Sequence, residues 1–420
     1  MSDSLSAPAP IASSRSLWAS PDFVKLWSGQ TISELGSRIT REGLPLTAVL
    51  VLHASTVQMG FLTALGGASV LVFGLIAGVW VDRLRRRPLL IATDLGRAAI
   101  LASIPLAAVA GVLRMGQLYA VAALAGVLTV FFDVAYQSYL PALVEREQIL
   151  EGNSKLALSA SIAEIAGPGV TGVLVQAITA PIAILFDALS FLVSALSVSL
   201  IRKPEPPPVA REPEHLVAET LAGLRFIFRH PVLRPLGLRW ATTFLFMGFL
   251  GPLYVLYAIQ VLHLKPAMLG VIIALGGVGA MVGSVVAPRL VRRFGLGPVF
   301  VGSALVHGTT SLFIPLAGWT GAPMAFAVGC LMVPQLFGDM AFMVYYINEL
   351  SLRQTVAPEE VLGRVNAGMQ LLGRGIWPLG ALLGGGLAAV LGVRTTLVVA
   401  ATGVLLSTLW LLAPPVRRLE

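Results

Sequence analysis

Eight charged side chains interrupt long apolar stretches of the sequence, and they are the first candidates for chemistry. Five are acidic and three are basic: Glu34, Glu42, Asp133, Glu164 and Asp339, and Arg38, Arg41 and Arg374. A charge at the centre of a lipid bilayer costs about 3 kcal/mol or more, so each of these side chains needs a partner or a function. The excess of acidic groups favours a neutral or cationic ligand, whereas an anionic ligand would be drawn to the arginines.

Asp133 is the first candidate for binding a proton. No basic residue lies three or four positions from it along a helix, and Tyr136 and Gln137 would place an aromatic ring and hydrogen-bonding groups beside it. Burial of a carboxyl group in a low-dielectric cavity favours its neutral form, which suits a residue that takes up a proton on one side and releases it on the other. A structural ion pair with Arg38 or Arg41 of another helix is the alternative.

Glu34 is a further candidate for proton coupling, in the most heavily charged stretch. It stands four positions before Arg38, and Glu42 stands four positions after it, so the three side chains share one helix face. On this stretch Arg38 and Arg41 are candidates for contact with a ligand. A purely structural ladder of ion pairs is the alternative interpretation.

Glu164 is the second candidate for proton coupling, and it precedes a Gly-Pro pair. At Gly167 and Pro168 a backbone hydrogen bond is lost and neighbouring helices can approach closely, and Gly172 follows one turn later. We therefore expect a helix bend or a tight helix contact directly after Glu164.

The second half of the sequence offers one further pair of charges and several aromatic rings. Asp339 and Arg374 are candidates for lining a substrate cavity, and the structural alternative is that they neutralise one another from neighbouring helices. The rings of Phe249, Tyr254 and Tyr345 would suit a bulky amphipathic or aromatic ligand if they line a cavity, and packing or lipid contact is the alternative.

The composition indicates which elements carry these residues. Hydrophobic residues make up 56% of the 420 and charged residues only 12%, with a mean hydropathy of +0.84. Soluble domains carry roughly 25% charged residues, so this chain could not cover a water-exposed surface. The net charge of +8 resides between the apolar stretches and does not indicate binding to nucleic acid.

Several classes of site are excluded by pattern. The single cysteine, Cys330, excludes a disulfide framework and a thiolate metal site, and the five histidines have no metal-ligand spacing. No G-x-x-x-x-G-K-[ST] stretch occurs, which excludes an ATP-driven pump on this chain. We therefore expect no metal, no cofactor and no enzymatic activity.

Apolar stretches long enough to cross a bilayer predict twelve helices in two sets of six. The stretches are 23–51, 57–81, 88–111, 117–140, 154–178, 182–201, 236–261, 266–288, 297–318, 322–348, 363–390 and 394–412. We predict an all-α membrane protein with a six-helix bundle over 21–201 and another over 236–412. A linker over 202–235, with an amphipathic segment at 214–229, joins them, and short cytoplasmic tails occupy 1–20 and 413–420.

The charges of the loops give the orientation. Arginine and lysine residues concentrate in the connections after the even-numbered stretches, whereas those after the odd-numbered stretches carry only Arg114, Lys265 and Arg394. By the positive-inside rule, both termini are predicted to be cytoplasmic.

The two halves share short patterns in the same order. The residues Val144, Glu147 and Leu150 recur 212 residues later as Val356, Glu359 and Leu362. The stretch 283–293 is similar to the stretch 78–87. Duplicated six-helix halves are typical of transporters that bind their substrate between the halves, near the middle of the membrane.

These stretches resemble the major facilitator superfamily. The loop 78–87 (GVWVDRLRRR) is similar to the superfamily's G-x-x-x-D-R/K-x-G-R/K-R/K signature, although Arg85 replaces a glycine. The stretch 167–172 (GPGVTG) is similar to the antiporter signature that ends G-P-x-x-G-G, with Thr171 in place of a glycine. The runs 187–191, 363–366 and 378–380 resemble the drug/proton antiporter branch that includes macrolide and enterobactin exporters.

The resemblance implies a fold of two pseudo-symmetric six-helix bundles, with helices one, four, seven and ten lining the cavity. It also implies a gating cluster at the cytoplasmic helix ends, in which an acid pairs with arginines in one conformation only. Its members would be Gly78, Asp82, Arg83, Arg86, Arg87 and Asp94. We predict that Asp82 and Arg83 stabilise the outward-facing state, and a static cluster that only fixes topology is the alternative.

The function expected from these features is secondary active export of hydrophobic or amphipathic drug-like compounds by proton antiport across a bacterial inner membrane. Export of an endogenous metabolite such as a siderophore is the alternative. A membrane receptor or scaffold that does not transport, or a lipid flippase, is the alternative from a different class. The expected partners are protons, a small-molecule cargo and the lipid bilayer, and we expect the chain to act as a monomer.

Overall fold

The computed structural model describes residues 16–81, 83–205 and 216–417, and these residues form helices and no strands. Apolar segments separated by glycine and proline fold into helices because a lipid bilayer leaves backbone groups no other hydrogen-bond partners. The first half contains α1 (Pro21–Leu50), α2 (Thr56–Val81), α3 (Arg86–Val109), α4 (Met115–Leu143), α5 (Ile149–Ile178) and α6 (Ala180–Ser199). The linker contributes α7 (Leu216–Arg229).

The second half contains six long helices and one short one. They are α8 (Leu233–Val261), α9 (Pro266–Phe294), α10 (Leu296–Leu316), α11 (Met324–Val356), α12 (Glu359–Leu391), α13 (Val393–Leu412) and α14 (Pro414–Arg417). Three π-helical turns interrupt this half: Tyr257–Val261 ends α8, Pro334–Gly338 lies within α11, and Leu371–Gly375 lies within α12. Such turns frequently occur at functional sites.

Eleven helices in the described residues are long and apolar enough to cross a membrane, so the protein is a multi-pass membrane protein. The exception among the long helices is α1, which carries six charged residues and nevertheless packs against α5 and α6. That α1 is the twelfth span, and that both termini are cytoplasmic, remain predictions.

The long helices form two bundles. The first bundle packs α1 against α5 and α6, and α3 against α4 and α6, while α2 packs on α4. In the second, α8 packs on α12 and α13, and α11 on α9 and α10. The most extensive contacts between the bundles are those of α2 with α12 and of α5 with α9, which the duplication would relate to each other.

Glycines set these two inter-bundle contacts at the same end of the molecule. A Cβ atom on Gly385 of α12 would lie 2.6 Å from the carbonyl oxygen of Thr56, and Gly172 of α5 packs on Gly270 of α9 in the same way. Towards the other end, where the arginine-containing loops lie, Gly74 of α2 has no atom within 4 Å of its Cβ position. We call these the glycine-contact end and the arginine-rich end.

The linker and the tails pack on the arginine-rich end. Gly223 of α7 lies directly against the backbone of Arg364 at the start of α12, and Glu219 pairs with Arg364 at 3.8 Å. Leu17, in a 3-10 turn before α1, and Val416 of α14 are fully buried. Residues 1–15, 206–215 and 418–420, which include parts of the predicted tails and linker, lie outside the described residues.

Candidate functional site

The candidate site begins with an ion pair between α1 and α5. Arg38 forms an ion pair with Glu164, while Arg41 reaches the same carboxylate at 3.6 Å and Glu34 lies 3.8 Å from Arg38. The Arg38 side chain is 12% exposed, whereas that of Glu164 is 53% exposed. Arg38 and Arg41 are therefore bound to Glu164. They do not form the ion pair with Asp133 that the alternative interpretation of Asp133 requires.

Gly167 makes room for this ion pair. A Cβ atom on Gly167 would lie 2.5 Å from the Cβ and 2.6 Å from the Cγ of Arg38. Pro168 and Gly172, further along α5, pack against the start of α9. The Gly-Pro stretch thus serves two contacts, one with the stem of Arg38 and one with the other bundle, in agreement with the tight contact expected there.

Asp133 lies exposed on α4, together with the exposed Gln137 and the half-buried Tyr136. It forms no ion pair among the described residues, and the charges that reach it are those of Arg97, Glu34 and Arg374. Arg374 belongs to α12, in the other bundle, so its attraction to Asp133 acts between the two bundles.

Asp339 and Arg374 do not form the pair that their positions suggested. Arg374 is exposed in the π-helical turn of α12, where its charge reaches Asp133. Asp339 follows the π-helical turn of α11 and packs against Gly276 of α9, beside Gln335. The only charge that reaches Asp339 among the described residues is the negative charge of Glu164. The pairing fails because the two side chains face different helices.

The three aromatic candidates are buried and do not line an open cavity in this conformation. Tyr345 is fully buried beneath the guanidinium of Arg239, and Phe249 packs against Gly384 of α12. Tyr254 is also buried, and its hydroxyl accepts a hydrogen bond from the Gln335 side chain at 3.4 Å. Packing within the second bundle is therefore the correct interpretation of all three here.

The first two residues of α3, Arg86 and Arg87, bind the linker and the end of α6. The backbone N–H groups of Arg86 and Arg87 donate to the carboxylate of Glu205, at 2.6 and 3.1 Å. The side chain of Arg87 donates to the carbonyls of Val198 and Ser199 at the end of α6, where a cation is favourable. Arg83 is exposed, Gly78 lies in α2, and Asp82 lies outside the described residues.

Asp94 does not join this loop cluster, contrary to the expectation. It is fully buried and forms an ion pair with Arg97, whose guanidinium lies between the rings of Phe132 and Phe191, 4.2 and 4.0 Å from their centroids. The pair thus joins α3, α4 and α6 inside the first bundle. Its spacing of three residues within one helix was the available signal for this arrangement.

A second buried polar cluster was not predicted. Arg239 of α8 is fully buried and stacks 3.6 Å from the centroid of the Tyr345 ring, and Glu349 and Arg353 of α11 pair at 3.7 Å nearby. His307 packs against Phe342, and the contact of Arg97 with Phe132 involves the positions 210 residues earlier in both cases. In the described residues, no three His, Cys, Asp or Glu side chains come together as metal ligands would.

Comparisons with known proteins agree with this architecture. The chain is 28% identical over 398 residues to the multidrug efflux pump Tap of Mycolicibacterium fortuitum, covering 92% of this chain and 94% of that protein. It is 24% identical over 382 residues to the enterobactin exporter EntS of Citrobacter koseri, covering 88% and 86%.

Solved structures share the fold. A bacterial homologue of the iron transporter ferroportin matches with a TM-score of 0.71 in its inward-facing state, at 18% identity over 95% of this chain and 99% of that one. In its outward-facing state it matches with a TM-score of 0.57, at 19% identity over 93% and 98%. The model of the Major Facilitator Superfamily matches residues 26–378, and the chain therefore belongs to that superfamily.

Proposed function

We propose that this protein is a secondary active exporter that moves amphipathic drug-like compounds out of the cell in exchange for protons. The observation that carries this proposal is the set of exposed carboxyl groups between the two bundles, Asp133 of α4 and Glu164 of α5. The relatives named as a multidrug efflux pump and an enterobactin exporter support export as the direction of transport.

The conformation fits one stage of alternating access. The bundles are in backbone contact at the glycine-contact end, through Gly60 with Gly385 and Gly172 with Gly270. The loop charges favour a cytoplasmic location for the arginine-rich end. The fold is also more similar to the inward-facing state of the ferroportin homologue than to its outward-facing state, which supports an inward-facing conformation. We infer an inward-facing state, ready to receive cargo from the cytoplasm.

Asp133 remains the leading candidate for carrying the proton. It is exposed between the bundles without an ion-pair partner among the described residues, so a change in its charge is not offset by a neighbour in direct contact. Glu164 is the second candidate, with Glu34 third. Because Glu164 is already paired with Arg38 and Arg41, its protonation would first release two arginines.

Export of an anionic metabolite such as a siderophore is the second candidate function. The exposed guanidinium of Arg374 supports it, because Arg374 has no ion-pair partner among the described residues and could receive an anionic group. The two functions differ in the charge of the cargo, which makes them separable by experiment.

Accumulation of fluorescent amphipathic dyes in an efflux-deficient bacterial host tests the proposal. Cells that produce the wild-type protein should accumulate several-fold less dye than cells that produce Asp133→Asn, and a protonophore should abolish the difference. Asp187→Asn is a matched control for folding effects, because Asp187 is buried within the first bundle. Export that persists after the proton gradient has collapsed would reject proton coupling, and equal accumulation with and without the protein would reject efflux.

A further inference from the structure

Asp339 is set apart from the other acidic side chains of the membrane interior by its electrostatic surroundings. Each of the others has an arginine in an ion pair or within electrostatic reach. Arg38 attracts Glu34, Glu42 and Glu164. Arg97 attracts Asp94, Asp133 and Asp187. Arg353 attracts Glu349. In the part of the chain that the structure describes, no cation reaches Asp339, and the charge that does is negative.

Among the described residues, the groups that surround Asp339 are neutral or acidic. From α8 the hydroxyl of Tyr254 binds Gln335 beside it, and from α10 His307 lies against Gly338, the preceding residue. The adjoining face of α9 presents Gly276, whose missing side chain leaves room for the Asp339 carboxyl and the Gln335 amide. From α5, across the boundary between the bundles, comes the negative charge of Glu164.

An ionised Asp339 would therefore carry an uncompensated charge in a medium where such charges are costly. Its repulsion from Glu164 acts between the two bundles, because α11 belongs to one and α5 to the other. A single positive charge at Asp339 would remove both penalties, whether it is a proton or a cationic group of a bound molecule. Closing the arginine-rich end would bring the two carboxyl groups closer together. Their repulsion would then increase, and an unneutralised Asp339 would become still less favourable.

We propose that Asp339 selects cationic cargo, because a proton and a cationic group of the cargo compete for its carboxyl group and either one permits the bundles to close. This inference rests on the proposed function and deepens it, since it names amphipathic cations as the cargo class and places the competition in the second bundle. The step is an exchange in which the cargo cation binds as the carboxyl proton leaves to solvent.

Proton release on binding tests the inference directly. Purified protein in weakly buffered, mildly acidic detergent solution is titrated with tetraphenylphosphonium, and a pH indicator reports the protons released. For one competing proton, we expect about one proton released per cation bound and an affinity that falls about tenfold per pH unit on the acidic side. In Asp339→Asn, release should fall by about one proton per cation bound, and the affinity should depend less steeply on pH.

Matched variants separate this role from structural damage. Asp339→Glu keeps the charge and should keep proton release, and Glu151→Gln, which removes a carboxyl group from an ion pair at the start of α5, should keep it too. Proton release that is undiminished in Asp339→Asn and is lost in Glu164→Gln would overturn the inference. Competition from sodium chloride at constant pH would also overturn it, because the exchanged ion would then be Na⁺.

The two proposals can fail separately. Export of neutral dyes by the wild-type protein without any binding of tetraphenylphosphonium would overturn the inference and leave efflux intact. Proton release on binding, without export of any dye from cells, would overturn the proposed function and leave the exchange at Asp339 standing.

Discussion

The contact between α2 and α12 predicts a large effect from one methyl group. A Cβ atom on Gly385 would lie 2.6 Å from the carbonyl oxygen of Thr56 and 3.1 Å from the Cα of Gly60, so Gly385→Ala cannot be relieved by moving a side chain. Overpacking of this kind costs about 1–3 kcal/mol. The cost falls on the state in which the glycine-contact end is closed, and it should shift the equilibrium away from that state by about 5- to 150-fold.

Distances between spin labels report this equilibrium. Labels at Val57 on α2 and Val390 on α12 flank the contact, and both side chains are exposed. The single cysteine, Cys330, is buried and is replaced by alanine in all variants so that labelling is specific. We expect Gly385→Ala to move most of the distribution from the short distance to a longer one.

The neighbouring glycine supplies the control. No atom lies within 4 Å of the Cβ position of Gly386, so Gly386→Ala makes the same chemical change in the same helix without an overlap. It should reproduce the distance distribution of the parent protein. If Gly385→Ala and Gly386→Ala gave the same distribution, the backbone contact would not hold this end closed, and the reasoning from the glycine contacts would be refuted.

Three further predictions concern the ion pairs and a helix cap. Gly167→Ala should displace Arg38 and reduce dye export several-fold, as Glu164→Gln should, whereas Gly169→Ala, which meets no neighbour, should leave export unchanged. Arg97→Ala should lower the free energy of unfolding by about 3–5 kcal/mol, because it leaves a buried carboxylate unpaired. Glu151→Gln, in a partly exposed ion pair, should lower it by less than about 1 kcal/mol. Denaturant titration measures both free energies. Burial lowers the pKa of His230, whose neutral Nδ1 accepts N–H groups at the start of α8, so this cap is present near neutral pH and lost as the pH falls. The melting temperature should therefore fall more between about pH 7 and about pH 5 in the parent protein than in His230→Asn.

The sequence predicted those parts of the molecule that depend on local spacing. Apolar length gave the helices, and the i,i+4 spacing of Glu34 and Arg38 gave one contact of the site. The principal partner of Arg38 is Glu164, however, and that pair depends on how α1 packs against α5. Spacing along one helix cannot report a partner from another helix, and the same limit explains why Asp339 and Arg374 were wrongly joined.

Other features depend on the register of distant segments. Glu205 lies in the proline-rich linker, and nothing in the sequence around it indicates that it binds the start of α3. The sequence leaves open whether Tyr345 lines a cavity or packs within the bundle. Its burial follows from Arg239 of α8, a charged residue near the edge of its apolar stretch whose side chain packs inward.

Flux through purified protein in proteoliposomes tests the central claim, that export is driven by exchange with protons, most directly. Vesicles with an imposed pH gradient and no other energy source are supplied with tetraphenylphosphonium, and its accumulation is followed as the gradient is set, removed and reversed. We expect the cation to accumulate on the acidic side of the membrane. It should not accumulate without the gradient, and it should accumulate on the opposite side when the gradient is reversed. Accumulation that is the same under all three conditions would contradict the claim.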